Sequence, residues 1–235
     1  MAPSWTHCSE RLRHQFFWLI EPPGVASALR MVVDVTMPRM HLKLADEETE
    51  IDLAALQGLW SVEQYLKLTD QTNRLIEYTD GVIEVLPMPT KYHQAISKLL
   101  FLALLAFVQR RGGDVFYAPL RVQVRPGKFR EPDLLLVLDK DDPRAQDEFW
   151  LGADLVIEIV SLDKPKRDIE EKPRDYAEAG IPEYWIVNPL DETISVLVLQ
   201  GHTYATQGIY HAGEHASSVL LDSFGVSVDE VFAAR

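Results

Sequence analysis

Two short oily segments near the middle of the chain restrict its fold more than any other feature. They are Leu134-Leu-Leu-Val-Leu138 and Leu155-Val-Ile-Glu-Ile-Val160. Runs this short and this uniformly apolar are expected as strands buried on both faces of a sheet. Two carboxylates interrupt them. Asp133 stands where the first run begins, and Glu158 lies inside the second between Ile157 and Ile159. A carboxylate in such surroundings is costly unless it is paired, protonated or bound to a cation. Two of them on neighbouring strands suggest a shared partner, of which a divalent metal is the usual one.

The flanking sequence supplies helices and further strands. Ser61-Val-Glu-Gln64 has the capping-box spacing that starts a helix. Two alternating segments around Asp80-Gly81 predict a β-hairpin. Thr90 to Arg111 reads as the main helix, apolar on nearly every side after Leu99, and Gly112-Gly113 stops it. Val115 to Val124 alternates as one strand. Asp168 to Ala179 reads as a helix ending at Gly180, and Pro182 to Pro189 as a third buried strand. Ile194 to Leu199 and Thr203 to Ala205 form an edge hairpin, and the tail closes with a turn and a last helical turn. The predicted class is α/β, with a central mixed sheet flanked by helices and a β-hairpin towards each end.

A chain of 235 residues holds one sizeable domain, here expected over 51–235, behind an N-terminal extension over 1–50 without clear periodicity. The stretch Asp46 to Asp52 reads as an acidic linker. The apolar run from Leu99 to Val108 is about half a membrane span, which favours a core helix over a membrane segment. A single cysteine, Cys8, excludes an intrachain disulfide framework and points to a reducing cytoplasm. The net charge of −13 gives no general attraction to nucleic acid. Binding of DNA would have to come from a local basic patch, a metal or a dimer groove. Lys164, Lys166 and Arg167 form one such cluster.

The carboxylate pair also makes a chemical demand. Magnesium takes oxygen ligands from one or two carboxylates and keeps several waters, and a metal-activated water attacks phosphodiesters. A nearby lysine stabilises the charge that develops. Pro132-Asp133, followed by a strand bearing Glu158-Ile-Val160, approaches that pattern but has valine at the position of the lysine.

Together with Glu77-Tyr-Thr-Asp-Gly-Val-Ile-Glu-Val-Leu-Pro-Met-Pro-Thr90, His93-Gln94, Glu131-Pro-Asp-Leu134 and Tyr176-Ala-Glu-Ala-Gly-Ile-Pro-Glu-Tyr-Trp-Ile-Val187, these residues resemble the PD-(D/E)XK nuclease superfamily, and within it the Uma-two family of restriction endonucleases. The resemblance covers roughly residues 59 to 233. It implies a restriction-endonuclease-like core and a Mg2+- or Mn2+-dependent endonuclease acting on DNA, by default as a homodimer. It implies Asp133, Glu158 and the backbone carbonyl of Ile159 as metal ligands, with Glu77 and His93 beside them. The strand lysine would have moved to the following helix as Lys172, next to which the chain departs from the pattern with Pro173. Lys164 and Lys166 remain alternative sources of the amine. Glu84 shares the alternation of Glu77 with a weaker case. Asp154 and Asp168 read as capping residues, and Tyr176 and Trp185 as core. A second reading is an inert nuclease-fold binding module, one linked to mobile elements.

Overall fold

The computed structural model describes residues 39–44 and 47–234, with side chains from Ala54 onward. Residues 1–38 of the expected extension lie outside the described residues. Strands β1 (Arg39–Leu44) and β2 (Glu47–Asp52) pair antiparallel. The stretch expected as an acidic linker is therefore a paired strand from Glu47 on. Thr49 and Ile51 alternate with its acids at the strand period, and that alternation prevails over the charge.

Helix α1 (Val62–Thr69) starts on the expected capping box, with Ser61 and Gln64 exchanging side-chain-to-backbone hydrogen bonds. Strands β3 (Ile76–Thr79) and β4 (Val82–Val85) follow, joined by Asp80 and Gly81. Both turn residues have positive φ, the geometry an Asp-Gly hairpin requires. Helix α2 (Lys91–Val108) is capped by Thr90 and stopped by left-handed Gly112 after a short 3-10 turn. Then come β5 (Asp114–Tyr117), β6 (Val122–Arg125), β7 (Lys128–Arg130), β8 (Leu134–Val137) and β9 (Leu155–Ile159). A π-helical turn, Arg167–Glu171, runs into α3 (Lys172–Glu178). The chain continues through β10 (Glu183–Asn188), β11 (Thr193–Gln200), β12 (Thr203–Tyr210), β13 (His215–Ser217), β14 (Gly225–Ser227) and α4 (Val228–Ala233).

The main sheet has the order β12-β11-β10-β9-β8-β5 and is mixed: β9 and β10 run parallel and the other pairs antiparallel. A second sheet, β4-β3-β7-β6, is antiparallel. The expected single strand over Val115 to Val124 is two strands, β5 in the main sheet and β6 in the second. Pro119, which has no N–H to donate, falls where the ladder breaks.

Strand alternation divides the core in two. Leu134, Leu136, Leu155, Ile157, Ile159, Trp185 and Val187 face α2 and α4. Leu135, Val156, Val160, Tyr184 and Ile186 face α3 and pack against Tyr176. Helix α2 is long and apolar enough, with its 3-10 extension, to pass a length-and-composition test for a membrane span. Its stripe of Ile96, Leu100, Leu104 and Val108 is buried in the core instead. A third cluster, Tyr65, Ile76, Tyr78, Ile83 and Phe129, ties α1 to the second sheet.

This layering fixes where polar groups can meet. Strands β8 and β9 pair Leu134 with Ile157, so continuing the register by one residue sets Asp133 across from Glu158. Glu158 shares the face of Val156 and Val160 and points towards α3. Ile76 and Tyr78 face α1, which turns Glu77 to the opposite side of the second sheet, where it is buried.

Candidate active site

Glu77, His93, Asp133, Glu158 and Lys172, proposed from widely separated parts of the sequence, meet at one end of the β8–β9 pair. Lys172 is the hub. Its Nζ lies 2.8 Å from Glu158 Oε1, 3.1 Å from Asp168 Oδ1 and 3.7 Å from Glu77 Oε1. The side chain is almost wholly buried, as are its three partners. Burial alone would depress the amine, but the charges of Glu158, Glu77 and Asp168 outweigh it and keep the pKa above the usual lysine value.

Lys172 reaches this point because of the turn before it. Its backbone N–H donates to the carbonyl of Arg167, five residues back. This wider π turn makes room for the Pro173 ring, which would clash with the carbonyl four residues earlier in a regular helix. Pro173 falls in the first turn of α3, where no intrahelical donor is needed. The proline beside Lys172 is thus accommodated without turning the amine away.

Glu158 Oε1 also accepts a hydrogen bond from the Tyr176 hydroxyl, at 2.5 Å. Burial, opposed by Lys172 and reinforced by the charges of Asp133 and Asp168, pushes the Glu158 pKa up to about 8. Asp133 sits just ahead of β8. Its Oδ2 accepts from the Ile159 N–H at 2.7 Å and lies 3.2 Å from His93 Nε2. Thr90 caps the first turn of α2 and so fixes the start of the helix that carries His93. Burial lowers the His93 pKa, but the hydrogen bond and charge of Asp133, with Glu158 beyond and the Ile159 backbone, raise it above the ordinary value. The other ring nitrogen of His93 and the Ser161 hydroxyl are buried without a hydrogen-bond partner among the described residues.

Three participants escape sequence reasoning. Asp168, read as a capping residue, is buried, and besides binding Lys172 it accepts from the Ser161 N–H at 3.0 Å. Tyr176, read as core, is core on its ring and polar at its tip. Glu131 accepts from the Ile76 N–H at 3.0 Å, and burial together with the charge of Glu77 pushes its pKa up to about 8. Only its position beside Pro132-Asp133 hinted at this. Arg130 does not pair with Asp133 or Glu158. It binds Asp175 and lies 3.5 Å from Glu77. Lys164 points away from the centre, to Glu84 at 2.5 Å, and Arg167 meets the same carboxylate at 3.1 Å.

These groups surround a cleft of about 220 Å³ whose lining includes His93, Asp133, Glu158, Ser161, Asp168 and Lys172. Among the described residues no group of three His, Cys, Asp or Glu side chains forms a ready-made metal cage. Magnesium needs less, since one or two carboxylates with waters and substrate oxygens suffice. Asp133 and Glu158 are hard oxygen donors on adjacent strands, and Glu158 is a buried carboxylate whose charge the surrounding protein leaves incompletely compensated. That donor set fits a hard divalent cation.

The sequence-family model described as "Putative restriction endonuclease", Uma2, matches residues 62–229. The chain belongs to this family. Every residue of the candidate site named above falls inside that span. Among solved structures, a crystallised "putative nuclease belonging to DUF820" from Anabaena variabilis ATCC 29413 is similar, with a TM-score of 0.57 and 20% identity. The match covers 72% of this chain and 97% of that one, and at this identity it establishes a shared fold. No curated protein matches.

The Tyr176 hydroxyl is expected to act as a positioning group. Tyr176→Phe keeps the ring in the core and removes one charge-assisted hydrogen bond, at a cost of about 1–3 kcal/mol. The denaturant midpoint should fall while the fold is retained. An unchanged midpoint would mean that the bond contributes nothing.

Proposed function

We propose that this Uma2 protein is a Mg2+- or Mn2+-dependent endonuclease that hydrolyses DNA phosphodiester bonds. The observation that carries this reading is the Lys172 amine 2.8 Å from Glu158, which stands across the strand pair from Asp133. A carboxylate pair with an adjacent buried ammonium is the arrangement phosphodiester hydrolysis asks for. Asp133 and Glu158 would hold the cation, with the Ile159 carbonyl next to them. The cation supplies an activated water and neutralises developing negative charge. Lys172 orients the attacked phosphate and stabilises the same charge. Tyr176 and Asp168 hold Glu158 and Lys172 in place, and Glu77 closes the far side of the amine. His93, hydrogen-bonded to Asp133, is placed to carry a proton at Nε2. A homodimer, the default that the resemblance implies, and a cytoplasmic location, drawn from the single cysteine, belong to the same proposal, and sedimentation measures the assembly.

A second reading, an inert binding module, draws on the net charge of −13 and on Val160 at the usual lysine position. One experiment separates the two. Purified protein is incubated with supercoiled DNA, single-stranded DNA and RNA in magnesium, manganese or chelator, beside Asp133→Ala. Metal-dependent DNA cleavage that Asp133→Ala lowers by about a hundredfold or more is expected. Absence of cleavage on every substrate, with no metal binding by calorimetry, would leave the inert module.

A further inference from the structure

The mouth of the cleft does not resemble a track for a DNA duplex. Its lining includes the apolar residues Pro87, Met88, Pro89, Leu162 and Pro189, beside the exposed acid Asp163. Met88 and Leu162 are 61% and 69% exposed, large apolar side chains presented to solvent directly above buried carboxylates. The lysine and arginine of the cleft lining, Lys172 and Arg167, are already engaged. Lys164 and Arg167 share Glu84, and Lys172 is enclosed by Glu158, Asp168 and Glu77. Duplex binding draws its affinity from rows of lysine and arginine against phosphates. An unpaired base instead offers an apolar face for packing and needs few cations to hold it.

A second cavity, of about 340 Å³, adjoins the first and shares Tyr92 and Pro189 with it. Its lining adds Lys91, which is exposed and has no ion-pair partner among the described residues, and the carboxylate Glu192. The two cavities make a short groove: a largely apolar compartment beside the carboxylates, then a compartment that holds one cation and one acid.

We infer that the cleft engages a single, unpaired DNA strand, with a base packed against Met88 and Leu162. The inference rests on the nuclease reading of the same cleft and names its substrate class. Frayed ends, loops and displaced strands present the same chemistry.

The test measures binding and cleavage side by side on the full chain. A fluorescein-labelled single-stranded oligonucleotide and a hairpin duplex of the same sequence are titrated in magnesium and in chelator, with anisotropy as the readout. The single strand is expected to bind about tenfold tighter. Met88→Asp and Leu162→Asp, both at exposed positions, should each weaken that binding about tenfold, while Leu59→Asp, equally exposed but outside the cleft lining, should not. Equal or tighter binding of the duplex, or rim variants that bind like the parent, would overturn the inference even if the duplex is cleaved. Rim-dependent single-strand binding without cleavage in any metal would uphold the inference and overturn the nuclease reading.

Discussion

Lys172→Ala is expected to lower DNA cleavage by about 10²–10³-fold, the usual loss when one group that stabilises developing charge is removed. Lys164→Ala is expected to cleave like the parent. The geometry gives the reason. The Lys172 amine contacts Glu158 and faces the cleft, whereas Lys164 is half exposed and spends its charge on Glu84. Lys172→Ala also leaves three buried carboxylates without their shared cation, which costs about 3–5 kcal/mol. The rate is therefore read together with a melting curve. Lys172→Gln, which keeps hydrogen-bond donors without the charge, separates the two effects. If Lys172→Gln folds like the parent and cleaves like it, the amine has no chemical role.

Glu158→Gln is expected to separate activity from stability in the opposite direction. Cleavage should fall at least about a hundredfold, because a neutral amide replaces a proposed metal ligand. In chelator, however, the variant should resist unfolding better than the parent at alkaline pH. The folded pKa of Glu158 is raised to about 8 from an ordinary 4.5 by burial and neighbouring acids. A raised carboxyl contributes stability that is fully present below about 4.5 and is lost as pH rises through about 8. The parent should therefore lose melting temperature between pH 5 and 9 in chelator. Glu158→Gln, with no proton to release there, should show a flatter profile, and added magnesium should restore the parent alone. A parent profile as flat as the variant's would mean that the buried charge is fully compensated by Lys172. Glu131, also raised to about 8, adds to the slope in both proteins and cancels in the comparison.

How much of this was legible in the sequence depended on how local the signal was. Asp133 and Glu158 stood out because charge in a uniformly apolar strand is conspicuous. The capping box at Ser61, the Asp80-Gly81 hairpin and the α2 stop at Gly112 are written within a few residues, and each forms as expected. Asp168 reads as a capping residue because it stands where a helix is expected to begin; in the structure one of its oxygens binds the Ser161 N–H instead. What hid its role was the second oxygen, turned to Lys172. Tyr176 has an aromatic ring that belongs in the core, and nothing local shows that its hydroxyl meets a carboxylate eighteen positions earlier. The split of Val115 to Val124 was hidden for a related reason. Alternation reports that a segment is extended, not which sheet it joins, and Pro119 was the available clue.

The π turn between Arg167 and Glu171 has a consequence for what this segment can tolerate over time. A helix rotates by about 100° per residue. Lys172 therefore meets Glu158 only if the number of residues between strand and helix stays as it is. Exposed side chains along that connection, such as Ile169 and Glu170, can be exchanged without moving the amine, whereas Asp168 binds it directly and the loss or gain of a single residue within the π turn would rotate it away from Glu158. In this stretch, length is under tighter constraint than composition.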